Sequence, residues 1–533
     1  MVRLKKRYLI PSFLLLIVLL FSSFGWWYWQ SLKQELGLTV DWRGMSIGFN
    51  GLCFDELTLS KQSQLKITGK NLKFSWSNLS ATDLEIYWQA NQSKIDTDSL
   101  PIDDKSHTEQ SDSPFSNFAS FYTWLPKLIH IDSIRFYQQH NELIDIKINV
   151  EKQLDSLQLR ASFNKNYSGE LSANLLLNRA ESRVDITTAE FNTVLTQANI
   201  KNAKITVLFN GWLKHDRLSL NVSNSTINAE QVSISPNLML ANLNGTLNFA
   251  MQSKIPVTIE NVIIDGRFNI QNLDGIYDNV EIKSASSGGQ LLVKDNKFLI
   301  ETFNTRIRNV NVGILFENVK FAGEYLASFN AISKGKLSWH RFESTLFSGK
   351  ILVNNSTINF NKLKQSIKVY LKAIQLKDIL TTYPVEGLNG EGSIDGMLPI
   401  KITQISTANN NRYNVSIENG ELATTASGYL AFNNSALQDY AKNNPNMQLV
   451  TNVLQNFEYT KLAASVNYAD EIANLAINIQ GKNPKIKKGK AVNLNINLQE
   501  NIVKLLMSLQ LSDHISEPIR QRIEAHLKKE SFK

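Results

Sequence analysis

Apolar and polar side chains alternate with period two along most of this chain. Between Leu38 and Trp88 the apolar positions are Leu57 and Leu59, Leu65 and Ile67, Leu72, Phe74 and Trp76, then Leu84, Ile86 and Trp88. The pattern resumes after Ile129 with Leu157, Leu159, Ala161 and Phe163, with Leu171, Ala173, Leu175 and Leu177, with Ile205, Val207 and Phe209, and with Leu218, Leu220 and Val222. It returns at Ile358 and Phe360, at Ile367, Val369 and Leu371, at Leu462, Ala464 and Val466, at Leu475, Ile477 and Ile479, and at Val492, Leu494, Ile496 and Leu498. Successive side chains of a strand point to opposite sides. The spacing therefore predicts short strands with one apolar face and one face of Asn, Ser, Thr, Lys and Asp, as in antiparallel sheets wet on one side. So many strands exceed what one small barrel can close. The predicted fold class is mainly β: an elongated antiparallel sheet curled around its apolar face, which is either filled by its own side chains or open as a groove. No strict repeat length marks a propeller or a short-period β-helix.

Three segments break the alternation. Residues 8–29 carry no charge and, at ~1.5 Å rise per residue, match a ~30 Å hydrocarbon core, which predicts a transmembrane signal-anchor helix. Arg3, Lys5, Lys6 and Arg7 in the basic stretch 1–7 favour a cytoplasmic N-terminus, and Trp26, Trp27, Tyr28 and Trp29 place amphipathic rings at the far interface. The rest of the chain is then exported. A cleaved signal peptide is the alternative, but its apolar core is shorter and Ser22-Ser23-Phe24-Gly25 followed by aromatics is a poor cleavage site. No second apolar stretch approaches ~18 residues, so this chain alone forms no helical channel. Residues 30–91 read as an N-terminal β segment and 92–117, nearly devoid of apolar side chains, as a flexible polar linker or loop. The β body spans 118–500 and begins with a short helical or mixed piece at 118–128. Residues 501–533 form a helical cap. There Ile502, Leu505, Leu506, Leu509 and Leu511 fit a helical stripe, and Ser516 with Pro518 opens a second helix.

Charge and composition exclude more than they assign. The net charge of +8 is half accounted for by Arg3, Lys5, Lys6 and Arg7, and much of the rest lies in Lys482, Lys485, Lys487, Lys488 and Lys490 and in Lys528, Lys529 and Lys533. A nearly neutral middle argues against nucleic acid, which needs a concentrated basic face. The patch at 482–490 reads as a solvated hairpin, with anionic lipid headgroups as the alternative contact. Cys53 is the only cysteine, so no internal disulfide forms. The seven histidines show no metal-binding spacing, and there is neither a nucleophile elbow nor a phosphate loop. Gly387, Gly390, Gly392 and Gly396 lack the Lys-Ser/Thr that a phosphate loop requires and read as turns or bulges. Asp470 and Glu471 read as adjacent charges in a turn. No catalytic constellation, metal site or cofactor site is predicted.

Several stretches resemble YdbH-like proteins, members of the AsmA-like and TamB-like group of inner-membrane-anchored bridge proteins of Gram-negative bacteria. They are EGLNGEGSIDGMLPI at 386–400, SIENGELATTASGYLAF at 416–432, FEYTKLAASV at 457–466, IQGKNP at 479–484 and VNLNINLQENIVKLLMSL at 492–509. GLCFDELTL at 51–59 and WLPKLIHIDSIRF at 124–136 are also similar. The resemblance implies an inner-membrane, single-pass protein with its body in the periplasm, moving phospholipids between inner and outer membranes along a hydrophobic β-groove. Its implied partners are a small outer-membrane lipoprotein that continues the sheet at the C-terminal end and a small periplasmic accessory protein. The dicarboxylate-transport label the domain has carried does not suit a single span. On this expectation the groove candidates are Leu171, Leu175, Leu177, Ile205, Val207, Phe209, Ile358, Phe360, Ile367, Val369, Leu371, Leu462, Val466, Val492, Leu494, Ile496 and Leu498. About 30 strands at ~4.8 Å would extend roughly 150 Å, the scale of an envelope gap. The alternative is an envelope structural or assembly factor, TamB-like in aiding outer-membrane protein insertion, without lipid conduction.

Overall fold

The computed structural model describes residues 38–49, 51–61, 65–75, 77–88, 122, 125–138, 141–164, 168–197, 199–235, 237–407, 410–442, 444–486 and 489–505. The expected anchor helix, its flanking Arg3, Lys5, Lys6, Arg7, Trp26, Trp27, Tyr28 and Trp29, the 92–117 linker and the helix expected near 518–529 lie outside these residues. Among the described residues no helix is long and apolar enough to cross a membrane.

The predominance of β structure is confirmed: 29 strands against three short helices, α1 (Leu376–Thr382), α2 (Ser435–Lys442) and α3 (Pro445–Leu454), lie within the described residues. Residues 502–505 are helical too, where the expected C-terminal stripe begins. The chain divides into two compact units, residues 1–196 with 205–218, and residues 197–204 with 219–533.

In the first unit the described pairings are antiparallel apart from two parallel pairs at one seam. Strands Asn78–Ala81 and Asp83–Trp88 both run parallel to Leu128–Gln138, where antiparallel pairing alone was expected. A parallel pair needs a crossover connection, and the intervening chain from residue 89 to 127 supplies it. Charges on the wet face tie this seam. The Arg135 guanidinium donates to both Asp83 oxygens and, at 3.0 Å, to Glu85 Oε1, while Lys70 Nζ reaches Glu85 at 3.1 Å. The Asp83 hydrogen bonds hold the Arg135 pKa above its usual range.

The described pairings within the second unit are antiparallel, with long strands such as Leu238–Lys254, Ile263–Tyr277 and Ala331–Leu346. Tight two-residue turns link several of them. Asp295 and Asn296, Phe347 and Ser348, and Asp470 and Glu471 all have positive φ, the geometry that matches the right-handed twist of a hairpin. Asp470 and Glu471 are thus turn residues, as expected. Of the glycine-rich stretch, Gly387 (φ 78°) and Gly392 (φ 159°) flank the strand Leu388–Glu391 and Gly396 lies inside Ser393–Thr407. Of the basic stretch, Lys482 ends the strand Ile472–Lys482, and Lys485 and Lys490 lie between it and the next strand, Gly481 pairing with Val492.

A feature shared by both units explains how straight alternation becomes bent sheet. Nine strands carry an interior residue of left-handed φ: Asn71, Asn202, Asn224, Asn242, Asn272, Ser284, Asn318, Ala373 and Asn419. Register breaks mark several of these points, for instance between Ile270 and Leu273, Leu371 and Ile374, and Ile417 and Gly420. They are β-bulges, which bend a strand and sharpen its twist. Seven of the nine are Asn, the side chain that tolerates this region best after glycine. Neighbouring strands supply matching acceptors: Asp274 takes the Ser284 N–H at 2.7 Å, Asp395 that of Ala373 at 2.8 Å, and Asn467 that of Asn419 at 2.9 Å.

Candidate functional site

Directly paired residues of neighbouring strands share a face, so register shows whether the apolar faces join. In the first unit one row runs Leu52, Phe74, Leu79, Ile129, Val150, Leu159, Ala173, Ala189. In the second, a row runs Phe249, Gly266, Leu291, Ile300, Tyr325, Leu337, Ile358, and another runs Ile351, Leu371, Gly396, Leu422, Ala464, Ile477, Ile496. No charged residue interrupts any of the three. Each unit therefore presents an apolar surface that passes from strand to strand.

Of the groove candidates, Ile358, Leu371 and Ile496 stand in these rows, and the settings of the candidates differ. Ile358, Ile367, Val369 and Leu371 are half-buried and cross-paired with Leu337, Ile400, Leu398 and Ile351 respectively, so their apolar neighbours are aliphatic. Leu171 is half-buried between Ala161 and Phe191, and Ile205, Val207 and Phe209 are half-buried in the strand Ile200–Lys214. Phe360 differs from expectation. It follows the strand Ser356–Asn359 instead of belonging to it, and its ring meets Tyr325 and Tyr413 edge-on at centroid distances of 6.4 and 5.5 Å. With Phe298 and Phe329 these rings form a chain of five aromatics drawn from distant parts of the sequence. Period-two reading could not find it, because the contacts join residues of different strands, up to 53 positions apart for Phe360 and Tyr413.

Parts of the apolar surfaces are covered by other segments of the chain. In the first unit Tyr122 and Leu125 pack on Leu157, Leu175, Leu177 and Val184. The Tyr122 hydroxyl donates to the Gln153 and Ser156 carbonyls at 3.0 and 3.1 Å, and Lys152 Nζ donates to the Tyr122 and Leu125 carbonyls at 2.6 and 2.9 Å. Burial in this contact raises the Tyr122 pKa. Leu175 and Leu177 are therefore floor beneath a cap.

In the second unit α3 covers the corresponding face. Val453 packs with Phe457, Tyr459, Leu462 and Ile479, against Leu430, Ile477, Val492 and Leu494. The helix was not expected, although its signals are present: Asn444 caps the Met447 N–H, Pro445 stands in the first turn, and Met447, Val450 and Val453 recur at helical spacing. Asn483 closes its far end, donating to the Asn452 and Val453 carbonyls at 3.0 and 3.2 Å. Tyr459 is 1% exposed, donates to the Glu391 carbonyl at 2.8 Å, and has its pKa raised by burial. A Cβ added at Gly392 would lie 1.8 Å from the Tyr459 hydroxyl oxygen and one at Gly428 would lie 2.3 Å from it, so those glycines make room for the ring. Beyond this cover, Ile496 and Leu498 stand 41% and 49% exposed.

Among the described residues no three His, Cys, Asp or Glu side chains come together as a metal set. One shallow hollow is lined by Arg160, Ser172, Asn174, Thr188 and Glu190 together with Leu159, Ala173 and Ala189.

The five C-terminal stretches singled out in the sequence thus converge on one module, with Gly392, Gly428, Tyr459, Ile479 and Val492 in or next to its core. No curated protein and no solved structure matches the chain. A family model described as the intermembrane phospholipid transport protein YdbH matches residues 145–524, well over half of the sequence. The chain belongs to the YdbH-like family.

Proposed function

We propose that this protein carries phospholipids between the inner and outer membranes on the apolar faces of its sheets, with the groove candidates Val369, Leu371, Ile496 and Leu498 touching acyl chains. The observation that carries this reading is the strand-to-strand continuity of apolar residues, from buried Ile351 to exposed Ile496, without an intervening charge. At ~4.8 Å per strand, the side-by-side succession of paired strands described in the first unit, nine abreast, extends roughly 40 Å, and that in the second, thirteen abreast, roughly 60 Å. Each CH₂ kept out of water on such a surface is worth about 0.8 kcal/mol, which lowers the barrier to moving a lipid tail through an aqueous space. Residues 8–29 anchor the chain in the inner membrane with the body in the periplasm. A small outer-membrane lipoprotein adds to the outer edge of the strand Val492–Asn501, which pairs on its other edge with Ile472–Lys482, and a small periplasmic protein assists. The chain moves lipid by binding, without catalysis, and direction comes from outside it.

Photoreactive side chains at Val369 and Ile496 test this in cells. Phospholipid adducts at both positions are expected, and mass spectrometry of lipid copurified with the protein should show it depleted in a Val369→Asp, Ile496→Asp variant. Capture of unfolded outer-membrane proteins at these positions, with no lipid adduct, would establish the assembly-factor reading instead.

A further inference from the structure

Among the described residues, the first apolar row of the first unit begins at a hairpin on the edge of the sheet. Its pairs are Arg43 with Glu56, Ser46 with Cys53, Ile47 with Leu52 and Gly48 with Gly51. From residue 44 to residue 54 there is no charged side chain. Met45, Ile47 and Phe49 occupy alternate positions along it, and Trp42 precedes them. All four project into solvent: Met45 and Trp42 are nearly half exposed, Ile47 is 76% exposed and Phe49 completely so. Gly51 (φ 122°) is required here, since a Cβ would lie 1.9 Å from the Phe74 carbonyl oxygen.

We infer that this hairpin is a membrane-inserting tip that holds the N-terminal end of the sheet against the periplasmic surface of the inner membrane. This rests on the anchoring proposed above. Eight residues, 30–37, separate Trp29 from the first strand at Leu38, and a chain of that length reaches at most about 29 Å. The tip is thereby confined near a bilayer surface. Its composition suits the interface: Trp and Phe prefer the headgroup boundary, aliphatic Met and Ile enter the acyl region, and Arg43 stays at phosphate level. The chain's own segment 92–117 is a poor cover for these side chains, because it is almost wholly polar. A tip seated in the outer leaflet of the inner membrane delivers the start of the apolar rows, Leu52 and Phe74, to where a lipid leaves the bilayer.

Depth-dependent quenching of the full chain in vesicles of phosphatidylethanolamine and phosphatidylglycerol tests the inference. Cys53→Ser removes the sole thiol, and an environment-sensitive fluorophore is attached at Ile47→Cys, at Leu16→Cys within the apolar run, or at Asn174→Cys on the wet face. Spin-labelled lipids are expected to quench the Ile47 probe several-fold more than the Asn174 probe, and the Leu16 probe most deeply. Replacing Met45 and Phe49 by Ser, both surface positions, should return the Ile47 probe to the aqueous level. A quenched Leu16 probe with an aqueous Ile47 probe would overturn the tip and leave the anchor standing. A shielded but unquenched Ile47 probe would mean that protein covers the hairpin, and overturns it too. If neither probe is quenched, anchor and tip fail together.

Discussion

The strand Val492–Asn501 lies in two environments at once. Its first apolar residues, Val492 and Leu494, sit in the cluster roofed by α3, opposite Gly481 and Ile479, while Ile496 and Leu498, two and four positions later, stand open. Alternation is unbroken across the change. The difference teaches that periodicity determines which way a side chain points and leaves undecided whether anything lies on top of it. Where a helix docks, the face becomes core; where none does, the same face is a surface on which an acyl chain can lie.

Charges placed on the two sides should give the largest contrast. Ile479→Asp buries an unpaired carboxylate at a site only 3% exposed and is expected to cost several kcal/mol, enough to disrupt the module. Ile496→Asp, at a site 41% exposed, should change stability by less than about 1 kcal/mol while abolishing lipid retention. Chemical unfolding read beside lipid content checks both, and equal stability losses would show that the open stretch is structural core. Next in size, Tyr459→Ala removes the ring under α3 and should cost about 3 to 5 kcal/mol. Hydrogen exchange in residues 445–454 should then rise, and a photoreactive side chain at Leu462, 9% exposed in the native protein, should begin to capture lipid.

The bulges give an intermediate effect. Asn419→Val forces a β-branched residue to φ near 54° and is expected to cost about 1 to 2 kcal/mol, whereas Asn419→Gly should be close to neutral. Equal behaviour of the two variants would mean that left-handed φ is not what bends this strand. The smallest effect concerns Asp395. The Ala373 N–H, and after it Lys372, hold its pKa below the ordinary carboxylate value. Its contribution is therefore fully present above about pH 4 and is lost as pH falls through the lowered folded value. A partly exposed carboxylate is worth under about 1 kcal/mol. Urea midpoints of the native protein and Asp395→Asn should differ near neutral pH and converge in acid.

Much of the fold was legible. The strands around Leu157, Leu171, Val369, Ile477 and Ile496 follow directly from alternation, and the turn at Asp470 and Glu471 from two adjacent polar residues between apolar runs. The parallel seam at Glu85 and Arg135 was not, because nothing local distinguishes a parallel from an antiparallel partner. Helix α3 was legible in Asn444, Pro445 and the spacing after them, but strands on either side outweighed it. In the alternation Asn is simply one of the polar residues of the wet face. That Asn242, Asn272 and Asn419 form bulges inside strands shows only once neighbouring strands are set in register.

By itself the sequence determined that this is a β protein with one greasy and one wet side per strand, since the direction of successive side chains is a property of the local backbone. Tertiary structure alone decided where that greasy side is bent, where it is roofed by Tyr122 or by α3, and where it stays open at Ile496 and Leu498. Covering a surface requires a second segment to arrive from elsewhere in the chain. Its arrival depends on pairing, bulges and caps that no single strand encodes.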